Sequence, residues 1–233
     1  MTNKIKAYFL RNPVMIDQQL DNLGTQYYYI KDPRVRRVMI SIFCFSREFK
    51  SVEFVGKIYE ADPEAREVII REYSGNDAAA DLLFEKYKTA DDTLKIVLIE
   101  ALLNSQRGID YFYERFDELE EEEKVTIANH LPYGGERDLN GFIEKIFQSD
   151  MQQLRAMLLT KLKEYGEFSV KSILFDPARE EEFVHMEKEY LDTITQLFPI
   201  TTVKSLFEKI AYDELSVTKT RKYLDVILEV VPN

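Results

Sequence analysis

Asp32-Pro33-Arg34-Val35-Arg36 returns thirty residues later as Asp62-Pro63-Glu64-Ala65-Arg66, and this echo decides how the chain is read. Aligned on Arg36, a basic residue recurs at Arg66, Lys95, Lys124 and Arg155, in steps of 30, 29, 29 and 31 residues. The second position after each anchor is Val38, Val68, Val97, Thr126 and Met157, and the third is Met39, Ile69, Leu98, Ile127 and Leu158. The fourth is Ile40, Ile70, Ile99, Ala128 and Leu159, and the seventh is Phe43, Tyr73, Leu102, Leu131 and Leu162. Thr126 is the one residue of these twenty that is not apolar. Self-similarity at a fixed period of this length marks an array of stacked units. Such arrays expose long surfaces for gripping a partner rather than a closed pocket for chemistry.

Each period reads as two helices, A then B. Asp62-Pro63 starts an A helix, because Asp caps free N–H groups and Pro fits the first turn. Gly75 closes it, and Asn76 or Asp77 caps the B helix that carries Ala79, Leu82, Leu83 and Tyr87. The next A helix is expected near 92–104, a turn over 104–108, and a B helix over 109–118. A fourth pair spans about 121–131 and 137–148, split by Pro132 and Gly134-Gly135. A fifth A helix over 151–165 stops at Gly166. A short helix over 168–175, a longer one over 179–197 closed by Pro199, and one over 202–213 follow. The spacing loosens there: with Lys188 and Arg221 as anchors the steps are 33, and Tyr190-Leu191 and Tyr223-Leu224 still fit the columns. A last A helix is expected over 216–231. It carries Val226, Ile227, Val230 and Val231, so either it packs all round or the array continues in a longer protein. Segments 3–11 and 14–29 read as a divergent first repeat. The whole of 1–233 is thus expected to be one array, with 1–31 divergent, 32–165 regular and 166–233 diverged.

Composition agrees with an all-helical chain: of 233 residues, 8 are Gly and 7 Pro, and 45% are hydrophobic. The single Cys44 excludes an internal disulfide and a cysteine-based zinc cluster, and its place after the apolar columns predicts a buried thiol. No apolar run reaches membrane-spanning length and no signal-peptide core is seen, so a cytoplasmic location is the expectation. The net charge of −11 disfavours nonspecific nucleic-acid binding and favours a basic partner segment.

The Asp-Pro-x-Val-Arg element at 32–36, relaxed at 62–66, resembles the HEAT-like repeats of the short, thirty-residue class first noted in phycobilisome lyases. The anchored columns that carry the resemblance cover about 32–165. It implies an all-α, right-handed superhelix of antiparallel helix pairs, with A helices convex and B helices concave. It carries over no lyase chemistry, because no catalytic residue matches.

The B helices hold a second ladder. Phe84-Glu85-Lys86-Tyr87 aligns with Tyr113-Glu114-Arg115-Phe116 and Ile143-Glu144-Lys145-Ile146, and Lys57 precedes them. Equivalent positions stack in a repeat array, so a carboxylate line (Glu85, Glu114, Glu144) is expected beside a cationic line (Lys57, Lys86, Arg115, Lys145). These residues, with Tyr113, either form a polar binding face or pair among themselves, at under about 1 kcal/mol each. The anchor column is read as structural, with Asp and Arg linking adjacent repeats. The run Asp117 to Glu123 reads as a solvated loop that starts a helix. In Tyr27-Tyr28-Tyr29 and Tyr111-Phe112-Tyr113 one exposed Tyr each is expected.

Catalytic signals are thin. There are two histidines: His130 at a helix end, and His185 with Glu181 and Glu189 four residues to either side, a spacing that suits a surface ion pair better than a metal. The zinc-protease HExxH, a phosphate-binding glycine loop and GxSxG do not occur. No catalytic, cofactor-binding or metal-ligating residue is assigned. The expectation is a non-enzymatic scaffold or adaptor binding a protein on the concave face. The alternatives are a HEAT-like enzyme excising alkylated bases from DNA, which needs a cationic face, and a regulatory domain of a larger signalling protein; a lyase-like chaperone for a chromophore protein is a further one.

Overall fold

A computed structural model describes residues 14–45, 49–133, 139–179 and 183–231. The described residues form fourteen α-helices and no strand. The helices are α1 (Val14–Tyr29), α2 (Pro33–Phe45), α3 (Phe49–Ala61), α4 (Arg66–Glu72), α5 (Ala80–Tyr87), α6 (Asp92–Leu103) and α7 (Gln106–Arg115). They continue as α8 (Glu121–His130), α9 (Asn140–Gln148), α10 (Gln152–Tyr165), α11 (Lys171–Leu174), α12 (Glu187–Leu197), α13 (Pro199–Tyr212) and α14 (Val217–Val230). The chain divides into two compact units, one up to His130 and one from Leu131.

In the first unit α2, α4, α6 and α8 pack one on the next in chain order. These are the helices that carry the apolar columns. Their third, fourth and seventh positions are all buried, from Met39, Ile40 and Phe43 to Leu98, Ile99 and Leu102. The second column is half-buried, except at Thr126, the one polar member, which is buried. Its hydroxyl donates to the Glu122 carbonyl at 2.9 Å, so burial leaves no donor unmatched. The second helices pair beside this row: α1 packs on α2 and α3, and α3 on α2 and α4. Cys44 is buried, and the Tyr73 hydroxyl lies against its thiol; burial pushes that hydroxyl up from the usual tyrosine range.

Helix ends follow the expected caps, with differences of physical interest. Asp62 accepts from the Glu64 N–H at 3.2 Å and Asn76 from the Ala78 N–H at 3.1 Å, but each helix opens with a tight 3-10 turn, 63–65 and 77–79. The turn expected over 104–108 is shorter. Ser105 caps α7 by accepting from the Gly108 N–H at 3.1 Å, so the helix already runs from Gln106. Gly108 is therefore inside the helix, and its role is close approach: a Cβ there would sit 1.9 Å from the Leu102 carbonyl oxygen. Gly75 and Gly166 have φ of 71° and 63°, the left-handed conformation that ends a helix.

The second unit is built on α10, which packs on α12, with α9 against α10 and α13 and α14 against each other and against α12. Leu154, Leu158, Leu159 and Leu162 of α10 are buried with Leu191, Ile194 and Leu197 of α12. Thr193 donates to the Leu159 carbonyl at 3.1 Å, and Thr202 of α13 to the Ile194 carbonyl at 2.8 Å. Pro199 does more than close the helix before it: it opens α13 as its first residue. The helix expected over 168–175 shortens to Lys171–Leu174; of the one expected over 179–197, residues 180–182 lie outside the described residues and the part from Val184 is a 3-10 turn over 184–186 leading into α12. In α14 the burial has turned by one position. Tyr223 is buried, whereas Leu224, placed by the period in a core column, is exposed. Segment 3–11, Gly134-Gly135 and Glu181 lie outside the described residues.

Candidate partner-binding site

Four of the five basic anchors, all but Arg155, sit on something the sequence did not display. Arg36 lies over the Tyr27 ring at 5.8 Å, Arg66 over Tyr59 at 5.4 Å, Lys95 over Tyr87 at 5.8 Å and Lys124 over Phe116 at 5.7 Å. All four rings are buried at the end of the preceding second helix or just beyond it. A cation over an aromatic face is attracted by the ring quadrupole, by about 0.5–2 kcal/mol. Carboxylates at the start of the next first helix close two of these pairs. Asp62 accepts from the Tyr27 hydroxyl at 2.7 Å and from Arg36 at 3.2 Å. Glu123 accepts from the Tyr87 hydroxyl at 2.7 Å and pairs with Lys95 at 3.2 Å. Each junction thus ties a second helix to the two first helices that follow it.

Glu123 corrects the reading of the acidic run. It is buried, and its second oxygen accepts the Glu120 N–H at 3.0 Å, a link back to the start of α8 like that of a capping box. Burial alone would raise its carboxyl; the Tyr87 hydroxyl, the Glu120 amide and Lys95 outweigh it and hold the group below the usual glutamate range. Burial and the same contact push the Tyr87 hydroxyl upward.

The second helices place the predicted ladder as follows. Lys57 on α3 pairs with Glu53 one turn earlier at 2.8 Å. Lys86 on α5 pairs with Glu60 of α3 at 2.6 Å and with Glu85 at 3.0 Å, and only 11% of its side chain is exposed. Burial would lower the Lys86 ammonium; its hydrogen bonds to the two glutamates prevail and hold it above the usual lysine range. Arg115 on α7 pairs with Glu114 at 3.3 Å and covers the Tyr111 ring at 4.3 Å. In the second unit Glu144 faces Arg179 at 3.8 Å, and Lys145 is half-buried on α9. Lys86 is therefore a bridge between helices, whereas Glu85 and Glu114 present exposed carboxylates.

The aromatic groups complete the face. Phe84 of α5 stacks on Tyr111 of α7 at 4.5 Å, with Arg107 over Phe84 at 5.9 Å and bonded to Asp81 at 2.6 Å. Tyr113 is exposed, as expected of one Tyr in its cluster. In the other cluster two are exposed, Tyr28 and Tyr29, because the next helix covers Tyr27 alone. The outward stripes then read Glu53, Lys57 and Glu60 on α3; Asp81 and Glu85 on α5; Asp110, Tyr113 and Glu114 on α7.

His130 faces Glu100 at 3.2 Å and His185 is exposed. Among the described residues no group of three His, Cys, Asp or Glu side chains is placed to hold a metal ion. No described helix is long and apolar enough to cross a membrane. Comparison with protein-family models, curated proteins and solved structures gives no match.

Proposed function

We propose that this chain is a HEAT-like, superhelical scaffold that binds a protein segment along its second helices α3, α5 and α7 and performs no chemistry of its own. The observation that carries this reading is the outward stripe of those three helices. On α5 and α7 it keeps exposed carboxylates at equivalent places one period apart, Asp81 with Asp110 and Glu85 with Glu114, and sets Phe84, Tyr111 and Tyr113 among them; Glu53 and Glu60 on α3 add carboxylates at other positions. Tyrosine is the amphipathic anchor enriched at interfaces, and scattered charges around it steer and select a partner more than they bind it. The surplus of carboxylates favours a segment rich in Lys or Arg. A DNA-acting enzyme of related fold needs a cationic face, and this stripe is the opposite in sign. A cytoplasmic location is part of the same proposal.

The test is comparative capture from the native cell. Wild type is set against Glu85→Lys/Asp110→Lys/Glu114→Lys and against a control reversed on the first helices, Glu64→Lys/Glu122→Lys. The reading expects proteins held by wild type and by the control but lost by the triple variant, with unchanged circular dichroism in all three. Equal capture by the triple variant contradicts it.

A further inference from the structure

Helix α14 carries an apolar seam that the fold leaves open. Val217, Arg221, Leu224, Leu228 and Val231 follow each other at spacings of four, three, four and three, the alternation of a two-helix coiled-coil seam. Val217 is 87% exposed, Leu224 41%, Leu228 65% and Val231 53%. The helix buries its other side, Tyr223 and Ile227, within the second unit. The Val231 N–H bonds the Ile227 carbonyl at 3.0 Å, so the helical turn reaches the last seam residue.

We propose that this seam pairs with the same seam of a second copy, in antiparallel fashion about a two-fold axis. The occupant follows from self-complementarity, the requirement of an isologous contact: what residue i meets in j, j must meet in i. An axis beside Tyr223 sets Val217 beside Leu228 of the partner subunit and Leu224, next to the axis, beside Arg221 of the partner subunit. The same axis sets Arg221 opposite Asp225 of the partner subunit, twice over. Both residues are exposed, and among the described residues neither takes part in a salt bridge within one copy. In a parallel pairing Arg221 would face its own equivalent, so charge selects the antiparallel arrangement. At 14 residues the helix is about 21 Å long, so the pair covers less than the roughly 1,200 Å² of standard interfaces. The association is therefore weak, concentration-dependent and separate from the partner-binding stripe.

Sedimentation equilibrium of the full chain tests it, from about 5 to about 500 µM, where so small an interface titrates. Wild type is expected to move from monomer to dimer over that range. Leu224→Asp, at an exposed site where folding is not at stake, is expected to weaken dimerisation by at least about tenfold, and Arg221→Asp by a similar factor. Arg221→Asp/Asp225→Arg rebuilds both ion pairs with the signs exchanged and is expected to return to within about threefold of wild type. A wild type that stays monomeric overturns the proposal, as does an exchanged pair no better than Arg221→Asp alone. A seam that serves a helix of another protein gives the first of these results.

Discussion

Replacing Glu123 with Gln tests the triple junction at its centre. Two oxygens serve three donors: one takes the Tyr87 hydroxyl and Lys95, the other the Glu120 N–H. Glutamine keeps the shape but has a single oxygen. Whichever way the amide turns, its NH2 faces a donor and leaves a buried polar group unsatisfied. That costs about 1–3 kcal/mol, and the lost attraction to Lys95 adds under about 1 kcal/mol, so about 1–4 kcal/mol is expected. Tyr87→Phe removes one donor and leaves Glu123 its other two, at about 1 kcal/mol. Because the two groups share a bond, the double variant is expected to cost about 1 kcal/mol less than the singles added together. Urea unfolding followed by circular dichroism measures all three. Glu122→Gln, exposed in the same run, serves as control and is expected within about 0.5 kcal/mol of wild type. A Glu123→Gln that behaves like Glu122→Gln, or full additivity with Tyr87→Phe, would refute the junction.

Glu123 also sets a pH dependence. Its folded carboxyl lies below the usual range, so its contribution is fully present above the ordinary glutamate value and is lost as pH falls through the folded one. The acid side of the stability profile is expected to flatten in Glu123→Gln relative to wild type. Gly108→Ala drives a Cβ into the Leu102 carbonyl and is expected to destabilise by about 3 kcal/mol or more, seen as a lower thermal midpoint. Gly166→Ala meets only the Phe168 ring, at an ordinary contact distance of 3.6 Å, but keeps a left-handed φ of 63°, and is expected to cost only about 1 kcal/mol in the same assay. If the two glycine changes cost the same, the close approach of α7 to the end of α6 is wrong.

The apolar columns were legible because burial on a helix has a fixed period, and nineteen of the twenty column residues could be recognised by type alone. Thr126 broke the type rule and kept the burial, since one bond to a carbonyl a turn back makes a hydroxyl tolerable in a core. The aromatic seats of the anchors were hidden for a different reason. Tyr27, Tyr59, Tyr87 and Phe116 stand 9, 7, 8 and 8 residues before their anchors, because the connections differ in length, and a strict period misses them. A search for an aromatic within that window before each basic anchor would have found all four. Glu123 was masked by its neighbours: in a run of carboxylates, composition says solvated, and only the position three after a helix start marks the one that turns inward. Lys57, Lys86 and Arg115 lie on the second helices α3, α5 and α7 and Lys145 on α9, but the depth of Lys86 depends on Glu60 reaching across from α3, a side-chain choice that spacing does not encode.

Carboxylate footprinting of the chain, free and bound to a captured partner, bears most directly on the binding face. The account predicts protection of Glu53, Glu85, Asp110 and Glu114 on α3, α5 and α7, with Glu64, Glu67 and Glu122 on the first-helix side labelled as in the free chain. Protection of the first-helix carboxylates with Glu85 and Glu114 still open to label would contradict it.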